Sequence, residues 1–317
     1  MHIVLAGALP APPYAQELLS HLGDKAPNLL KFLDQTPAYT VAVPPEEAKC
    51  TPLEAWLLQQ AGFQPQAGQS LSAGWAAWLC ETQAAHCNVK PDQPLWLAEL
   101  VHFAPSRDGA ALIPAQELTI TDAQSQALFE RSEQWFTDTP FRAQPISATH
   151  WRIEVPTEFT LSAPTPDLVR QSSINDWWAQ DLNTRPWRRL VNEFQMLWFS
   201  DPINAQRQDQ GLLSINSLWL FGGASRQQFN AAENSPPYTL IRSLEPYAQQ
   251  QQWGDWLVEL QHIEQQFTEL IQNNSIQSVV LTGRDRYLWA NRTFKPSLWQ
   301  RWFNRSTTQW RTLWSNP

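Results

Sequence analysis

Five polar residues with the functional groups needed to bind a small ligand lie close together in the chain, between residues 185 and 224. They are Asn192, Glu193, Asn204, Arg207 and Asn216. The amides and the carboxylate supply hydrogen-bond donors and acceptors, and the guanidinium supplies a permanent positive charge that suits a phosphate or a carboxylate. We therefore predict a ligand-binding pocket in this stretch of the chain.

The residues around these side chains predict a helix, a polar loop and a buried strand in direct succession. Apolar residues at helical spacing predict the helix over residues 185–200, and Pro202 ends it. The apolar run 212–221 predicts the strand, which leads into Gly222 and Gly223. Because open α/β sheets bind ligands at the carboxyl ends of parallel strands, these elements would place the polar residues at such an end.

The same residues also have a purely structural interpretation. Asn204 and Asn216 would then satisfy backbone groups of the loop, and Arg207 would pair with Asp201 or Asp209. The sequence favours neither interpretation over the other, so both stay open at this point.

Several common catalytic motifs are absent from the sequence. No GxSxG, P-loop or GxGxxG pattern occurs. The histidines are scattered and do not form the clusters that bind metals; they are His2, His21, His86, His102, His150 and His262. His102 and His150 fall in predicted strands, where we expect a structural role. The sequence therefore predicts no metal and no other cofactor.

The cysteines, the first residues and the apolar runs indicate in which cellular compartment the protein functions. Cys50, Cys80 and Cys87 are an odd and sparse set, which predicts buried or partly buried thiols, no disulfide and a reducing compartment. The first residues indicate a buried strand and no signal peptide, and no apolar run is long enough to cross a bilayer. We therefore expect a cytoplasmic protein without a membrane span.

Length and patterning predict the fold class. The chain has 317 residues, of which 43% are hydrophobic, and this suits one large or two modest domains. We predict an α/β fold with a mostly parallel central sheet flanked by helices and a small inserted α+β unit. Residues 1–93 and 171–317 would form the main domain, and residues 94–170 the inserted unit.

The net charge is -8 and the sequence pI is about 5.3, which argues against a chain that coats nucleic acid. The last part of the chain, from Arg284 onward, is instead basic and rich in tryptophan. Its candidate partner-binding residues are Arg301, Trp302, Arg305 and Trp310. Such residues suit single-stranded nucleic acid, an anionic membrane surface or a protein partner. They also suit packing of a basic segment on the acidic body of the same chain, which is the arrangement we expect first.

Part of the chain resembles a known family. The run 201–204, then Arg207, Gly211 and the run 216–223, is similar to a segment of archaeal-type cofactor-independent phosphoglycerate mutases. The likeness is closer to a group of bacterial proteins, largely uncharacterised, that are called phosphoglycerate mutase-like, and there it extends over residues 187–197. A weaker likeness covers residues 96–112.

The resemblance implies an alkaline-phosphatase-like fold. Enzymes of that superfamily use two divalent metals, held by Asp and His, and a Ser or Thr nucleophile. Residues 3–9 contain no Asp where the family's metal ligand would follow, so the resemblance implies the fold more than the activity. We expect a non-catalytic, degenerate relative that binds a small phosphorylated ligand or a protein partner. The alternatives are a metal-dependent phosphomutase or phosphatase acting on a small phosphorylated metabolite, and an interaction module that uses the C-terminal segment.

Overall fold

The structure is a computed structural model that describes residues 1–82, 87, 89–107, 109–230, 237–272, 276–293 and 309–315. The chain divides into two compact units. The first unit contains residues 1–44 and 233–317, and the second contains residues 45–232. The division that we predicted has its breaks after residues 93 and 170 and therefore differs from this one.

The helices and strands of the first unit come from both ends of the chain, and those of the second unit come from its middle. The first unit begins with β1 His2–Leu5, α1 Pro12–Lys25, α2 Pro27–Gln35 and β2 Ala38–Ala42. The second unit contains α3 Pro45–Ala48, α4 Pro52–Gln60, α5 Trp75–Thr82, β3 Leu95–Ser106, β4 Gly109–Ile113, α6 Asp122–Thr137, β5 Arg142–Pro145, β6 His150–Glu154, α7 Pro166–Val169, α8 Ile174–Trp177, α9 Arg185–Phe199, α10 Pro202–Asp209 and β7 Ser217–Ala224. The first unit ends with β8 Tyr238–Ile241, α11 Glu245–Gln249, α12 Trp253–Gln272, β9 Ser278–Thr282, β10 Arg286–Asn291 and a last helix, α13, Gln309–Ser315.

The sheet of the first unit is mixed. Its strand order is β2-β10-β9-β1-β8, with β1 parallel to β8 and β9. Strand β10 is antiparallel to both β9 and β2. The expectation of a mostly parallel sheet is therefore only partly met. The physical reason is the short connection between β9 and β10, because three residues can close a hairpin but cannot make the crossover that parallel strands need.

The sheet of the second unit is antiparallel throughout its described strands. Strand β3 pairs with β7 along one side and with β6 and β4 along the other, and β5 pairs with β6. Strand β7 is thus not the parallel strand that we predicted. The rule that ligands bind at the carboxyl ends of parallel strands therefore does not apply to it.

The hydrophobic core of the second unit explains where the chain divides. Trp96 of β3, Trp151 of β6, Leu220 of β7 and the buried side of α9 belong to one apolar cluster. Residues on both sides of position 170 therefore share a core. Sequence patterns report which residues are buried, but they do not report which buried residues meet each other.

The cysteines differ from our prediction. Cys80, in the last turn of α5, forms a disulfide with Cys87, and the two Cα atoms are 5.9 Å apart. Cys50 is a free thiol, and burial together with the nearby Glu54 carboxylate raises its pKa well above the ordinary value. The reducing compartment was inferred from unpaired thiols, so that inference no longer holds.

Among the described residues, no helix combines the length and the apolar character that crossing a bilayer requires.

Candidate functional site

Helix α9 is held in place by one strongly apolar side. Its buried residues are Trp187, Leu190, Val191, Phe194 and Trp198. The Phe194 and Trp198 rings stack with centroids 5.4 Å apart, and the Trp198 indole N–H donates to the Ser132 hydroxyl of α6 at 2.9 Å. The helix and the buried stripe that we predicted over residues 185–200 are confirmed.

Asn204, which we proposed as a ligand-binding residue, is enclosed by backbone. Its side-chain N–H group donates to the carbonyl oxygens of Trp198 and Ile215, each at 2.8 Å. Its side-chain oxygen accepts the N–H of Ile215 at 2.7 Å. The residue is 1% exposed, and these bonds fasten the end of α9 to the segment before β7. This is the structural arrangement that the sequence left open.

Arg207 is fully buried and bonds to the protein itself. Its Nε donates to the carbonyl oxygen of Leu213 at 2.8 Å, and a second guanidinium nitrogen donates to the Gln124 side chain at 2.9 Å. A third donates to the carbonyl oxygen of Leu118. The expected pairing with Asp201 or Asp209 does not occur, since Asp201 pairs with Arg131 instead. Burial lowers the pKa of Arg207.

Asn216 and His102 connect the segment before β7 to strand β3. The Asn216 side chain accepts the N–H of Phe103 at 2.7 Å and donates to its carbonyl oxygen at 3.0 Å. His102 Nδ1 lies 2.8 Å from the carbonyl oxygen of Ser214. The Asn216 side chain therefore bonds to the backbone of Phe103 as a paired strand residue would, and its polar atoms are bonded to the protein itself.

The paired glycines serve close packing. Gly222 and Gly223 have φ angles of 112° and 110°, which L side chains rarely adopt. A Cβ on Gly222 would lie 2.5 Å from the carbonyl oxygen of Leu95, and a Cβ on Gly223 would lie 2.7 Å from the Trp96 ring. The pairing of β3 and β7 shifts its register between Leu95 and Trp96, and the glycines make this irregularity possible.

The opposite side of α9 is exposed and carries the remaining candidates. Asn192 is exposed, and Glu193 lies half-buried on the flank of the helix. A single exposed row, which we call the outer stripe, runs along this side: Arg185, Arg189, Asn192, Met196 and Phe199. Of these, only Asn192 was predicted as a candidate from the sequence. The signal for the others was in the sequence, as a second row at helical spacing opposite the buried one.

A cleft of about 450 Å³ opens where β3 begins and where β6 and β7 end. Trp96, Arg152, Glu154, Phe159 and Gly223 are among the residues that line it. This cleft could not be predicted from the sequence, because its walls come from chain segments that are far apart in sequence.

A hydroxyl, an imidazole and a carboxylate follow one another near β6. His150 Nδ1 lies 2.8 Å from the Thr149 hydroxyl, and its Nε2 lies 3.4 Å from a carboxylate oxygen of Glu99. This is the order of a nucleophile, a base and an orienting acid. However, the Ser147 hydroxyl accepts the backbone N–H groups of both Thr149 and His150, so neither donor is available for a developing oxyanion. These two bonds hold the turn that leads into β6.

The residues present do not fit the two-metal centre that the family resemblance implies. Within the part of the chain that the structure describes, no cluster of three or more His, Cys, Asp or Glu side chains could hold a metal ion. Two-metal phosphoryl transfer needs two such sets of ligands close together. We therefore derive no reaction step through a metal.

The last helix packs on its own unit. Trp310 is 1% exposed, and its indole N–H donates to Asp34 at 2.7 Å, while Arg311 pairs with the same carboxylate at 2.5 Å. The Trp314 indole N–H donates to the carbonyl oxygen of Ala15 at 3.0 Å. Trp310 is therefore not accessible to a partner in this arrangement. The other candidates of this segment, Arg301, Trp302 and Arg305, lie outside the described residues.

The solved structures that are similar to this chain include the following two. A cofactor-independent phosphoglycerate mutase from Thermoplasma acidophilum DSM 1728 is 11% identical, with 91% of this chain and 88% of that chain covered and a TM-score of 0.36. The PH0037 protein from Pyrococcus horikoshii is 9% identical, with 92% and 87% covered and a TM-score of 0.41. No family model and no curated protein matches the chain. Since both TM-scores are below 0.5, we base the proposals that follow on this chain's own side chains.

Proposed function

We propose that this protein is a non-catalytic binding protein, and that the outer stripe of α9 binds an acidic amphipathic helix of a protein partner. The observation that carries the proposal is the exposed row of two arginines, an asparagine and two large apolar side chains, directly opposite the buried row that anchors the helix. A helix with two functional faces can pack inward and bind outward at the same time.

The spacing of the outer stripe favours a helix as the partner. Its residues follow each other at intervals of four, three, four and three. This is the spacing by which one helix contacts another along a coiled-coil seam. Asn192 lies in the middle of the row, and a polar residue at such a position specifies the register of the two helices at some cost in affinity.

Charge favours an acidic partner. Arg185 and Arg189 are exposed, and neither guanidinium is bonded to another side chain in the described part of the chain. The whole chain carries a net charge of -8, so two unpaired arginines one turn apart form a local positive patch on an acidic protein. Carboxylates spaced one helical turn apart on a partner would match both guanidinium groups.

Apolar exposure supplies the contact area. Met196 is 64% exposed and Phe199 is 86% exposed, which is high for side chains of this size. Burying a phenylalanine side chain contributes about 1.5–3 kcal/mol. Aromatic residues and methionine are enriched at the centres of protein interfaces. The partner helix should therefore carry apolar residues one to two turns beyond its acidic residues.

A second copy of this chain is a poorer occupant. Parallel pairing of two outer stripes would place Arg185 and Arg189 against their own counterparts, and like charges directly opposed are destabilising. Antiparallel pairing would place the arginines against Met196 and Phe199, where neither charge has an acidic partner. A different protein with acidic side chains satisfies both ends of the stripe.

The test is a binding titration with a labelled synthetic helical peptide that carries glutamates opposite the arginines and leucines at the other seam positions. We expect wild-type protein to bind it, and Arg185→Glu/Arg189→Glu to weaken binding about tenfold or more. Phe199→Ala should weaken it to a similar degree. The matched control is Lys90→Glu/Arg107→Glu, which changes the charge equally at two exposed positions of the same unit and should bind as wild type does.

Three results would overturn the proposal. The first is equal binding by wild type and both stripe variants. The second is a wild-type homodimer that Phe199→Ala dissociates. The third is binding to anionic lipid vesicles in preference to the peptide.

The non-catalytic part of the proposal has its own assay. It is supported by the missing donor set for metals among the described residues and by the occupied backbone donors around His150. We expect no turnover of 2-phosphoglycerate, 3-phosphoglycerate or a generic phosphate ester by the purified protein with added Mg²⁺, Mn²⁺ or Zn²⁺. Turnover together with bound divalent metal would instead establish the metal-dependent phosphomutase or phosphatase that the family resemblance offers as the alternative.

A further inference from the structure

We infer that the cleft between the start of β3 and the ends of β6 and β7 binds a small organic anion with a flat apolar body. The cleft is separate from the outer stripe of α9, so this inference stands or falls independently of the proposed function. Its volume of about 450 Å³ lies within the range of about 300–1,000 Å³ that is typical of small-molecule sites.

The cation that lines the cleft, Arg152, is already bonded to a carboxylate that a ligand could replace. The Arg152 side chain is 16% exposed, and its guanidinium lies 2.6 Å from a carboxylate oxygen of Glu154, whose side chain is 60% exposed. The arginine is thus mostly enclosed by the wall, whereas the glutamate stands on the solvent side. Because only the Glu154 side of the pair is exposed, an incoming carboxylate can take its place on the guanidinium while Glu154 turns to solvent.

The geometry of the guanidinium favours a planar anion. Arginine binds a carboxylate through two parallel N–H···O bonds, which fixes the orientation of the anion as well as its position. Glu154 therefore occupies the place that the carboxylate of a ligand would take. A neutral ligand of the same shape would lack this interaction and leave the Arg152–Glu154 pair intact.

The wall beside this cation is aromatic. The Trp96 and Phe159 rings meet edge to face with centroids 5.7 Å apart. Gly223 contributes no side chain, and a Cβ there would lie only 2.7 Å from the Trp96 ring. The Trp96 ring thus occupies the space that a Cβ would take and packs directly on the glycine backbone, which makes this part of the wall close-packed. Trp96 and Phe159 are only 6% and 8% exposed, and they line the cleft together with Leu95 and Val155. A flat apolar body can pack against this apolar wall while its anionic group reaches Arg152.

The ligand chemistry is tested with two probes of nearly identical shape. Phenylacetate carries the carboxylate, and phenylacetamide replaces it by a neutral amide. Ligand-observed NMR titrations of the full chain should show binding of phenylacetate, with phenylacetamide bound about tenfold or more weakly. Equal affinity for the two probes would overturn the inference.

Two variants should change the affinity in opposite directions. Arg152→Gln should abolish detectable phenylacetate binding, because it removes the cation. Glu154→Gln should tighten binding several-fold, because it removes the competing carboxylate. The matched control is Arg170→Gln, since Arg170 is 20% exposed and pairs with Glu117 at 2.7 Å, whose side chain is 45% exposed. This variant breaks a similar pair outside the cleft and should bind phenylacetate as wild type does.

Because the two variants should change the affinity for phenylacetate in opposite directions, the inference can be tested even if one of them does not fold. If Arg152→Gln fails to fold, as seen by circular dichroism, the Glu154→Gln titration alone decides. Unchanged or weaker phenylacetate binding by Glu154→Gln would contradict the inferred competition and overturn the inference.

Discussion

Glu54 should make the stability of this protein fall as pH rises. The residue is 2% exposed in α4, and a single carboxylate oxygen accepts three hydrogen bonds. They come from the Thr51 N–H at 2.7 Å, the Thr51 hydroxyl at 2.9 Å and the Thr165 hydroxyl at 2.7 Å. Burial, with a smaller contribution from the negative charge of Asp167, raises the pKa of Glu54 from 4.5 to about 8, although the hydrogen bonds oppose this shift.

The magnitude follows from the difference between the folded and unfolded states. Between pH 4.5 and about pH 8 the folded protein keeps a proton on Glu54 that the unfolded chain has lost. Unfolding then releases a proton, so the free energy of unfolding decreases by about 1.4 kcal/mol for each pH unit. The contribution is fully present below pH 4.5 and is lost as the pH rises to about 8.

The informative variant is Glu54→Gln. Its amide oxygen can accept the same three bonds, and its neutral side chain resembles the protonated acid but does not titrate. Urea denaturation of both proteins between about pH 5 and pH 8 should show the wild type losing about 4 kcal/mol relative to the variant. Glu47→Gln, at an exposed position of α3, is the control and should follow the wild type. Parallel curves for wild type and Glu54→Gln would refute the reasoning.

Three further predictions concern stability, measured as the urea-induced unfolding of each variant against wild type. Arg207→Met should lower the free energy of unfolding by about 3 kcal/mol or more, because it leaves the buried carbonyl oxygens of Leu213 and Leu118 without a donor. A smaller loss would mean that water replaces the guanidinium. Gly223→Ala should lower the free energy of unfolding by about 2 kcal/mol or more, because its φ angle is unfavourable for alanine and the new Cβ would clash with Trp96. Gly68→Ala is the control for the backbone contribution alone, since Gly68 has a φ of 82° and open space around it. Cys80→Ala/Cys87→Ala should lower the free energy of unfolding by about 2–3 kcal/mol, as expected for a disulfide between residues seven positions apart. A reductant should destabilise the wild type by a similar amount and leave the double variant unchanged.

Local structure was predictable because its causes lie within a few residues. Thr51 and Glu54 form the capping box that their spacing indicates. The buried row of α9 follows from its apolar spacing, and the β9–β10 hairpin follows from two apolar runs around a short polar turn. In each case the residues that decide the outcome lie close together in the sequence, within one helix or on the two sides of one short turn.

The roles of the polar residues could not be predicted in the same way. Asn204 and Arg207 were recognised as residues able to bind, but their hydrogen bonds go to carbonyl oxygens whose positions depend on the folded chain. Leu118 is far from Arg207 in the sequence, and the residues around Arg207 do not indicate that its guanidinium bonds to the Leu118 carbonyl oxygen. Whether a polar side chain binds a ligand or its own backbone is decided by what lies next to it.

The sequence by itself determined the class of the elements, the buried row of α9 and the exposed row opposite to it. Only the tertiary structure decided that β7 pairs antiparallel with β3, that Cys80 meets Cys87 and that Trp96, Arg152 and Gly223 line one cleft. The physical reason is that helix and strand periodicity depends on neighbouring residues, whereas strand pairing and cleft formation depend on which buried surfaces meet across the whole unit.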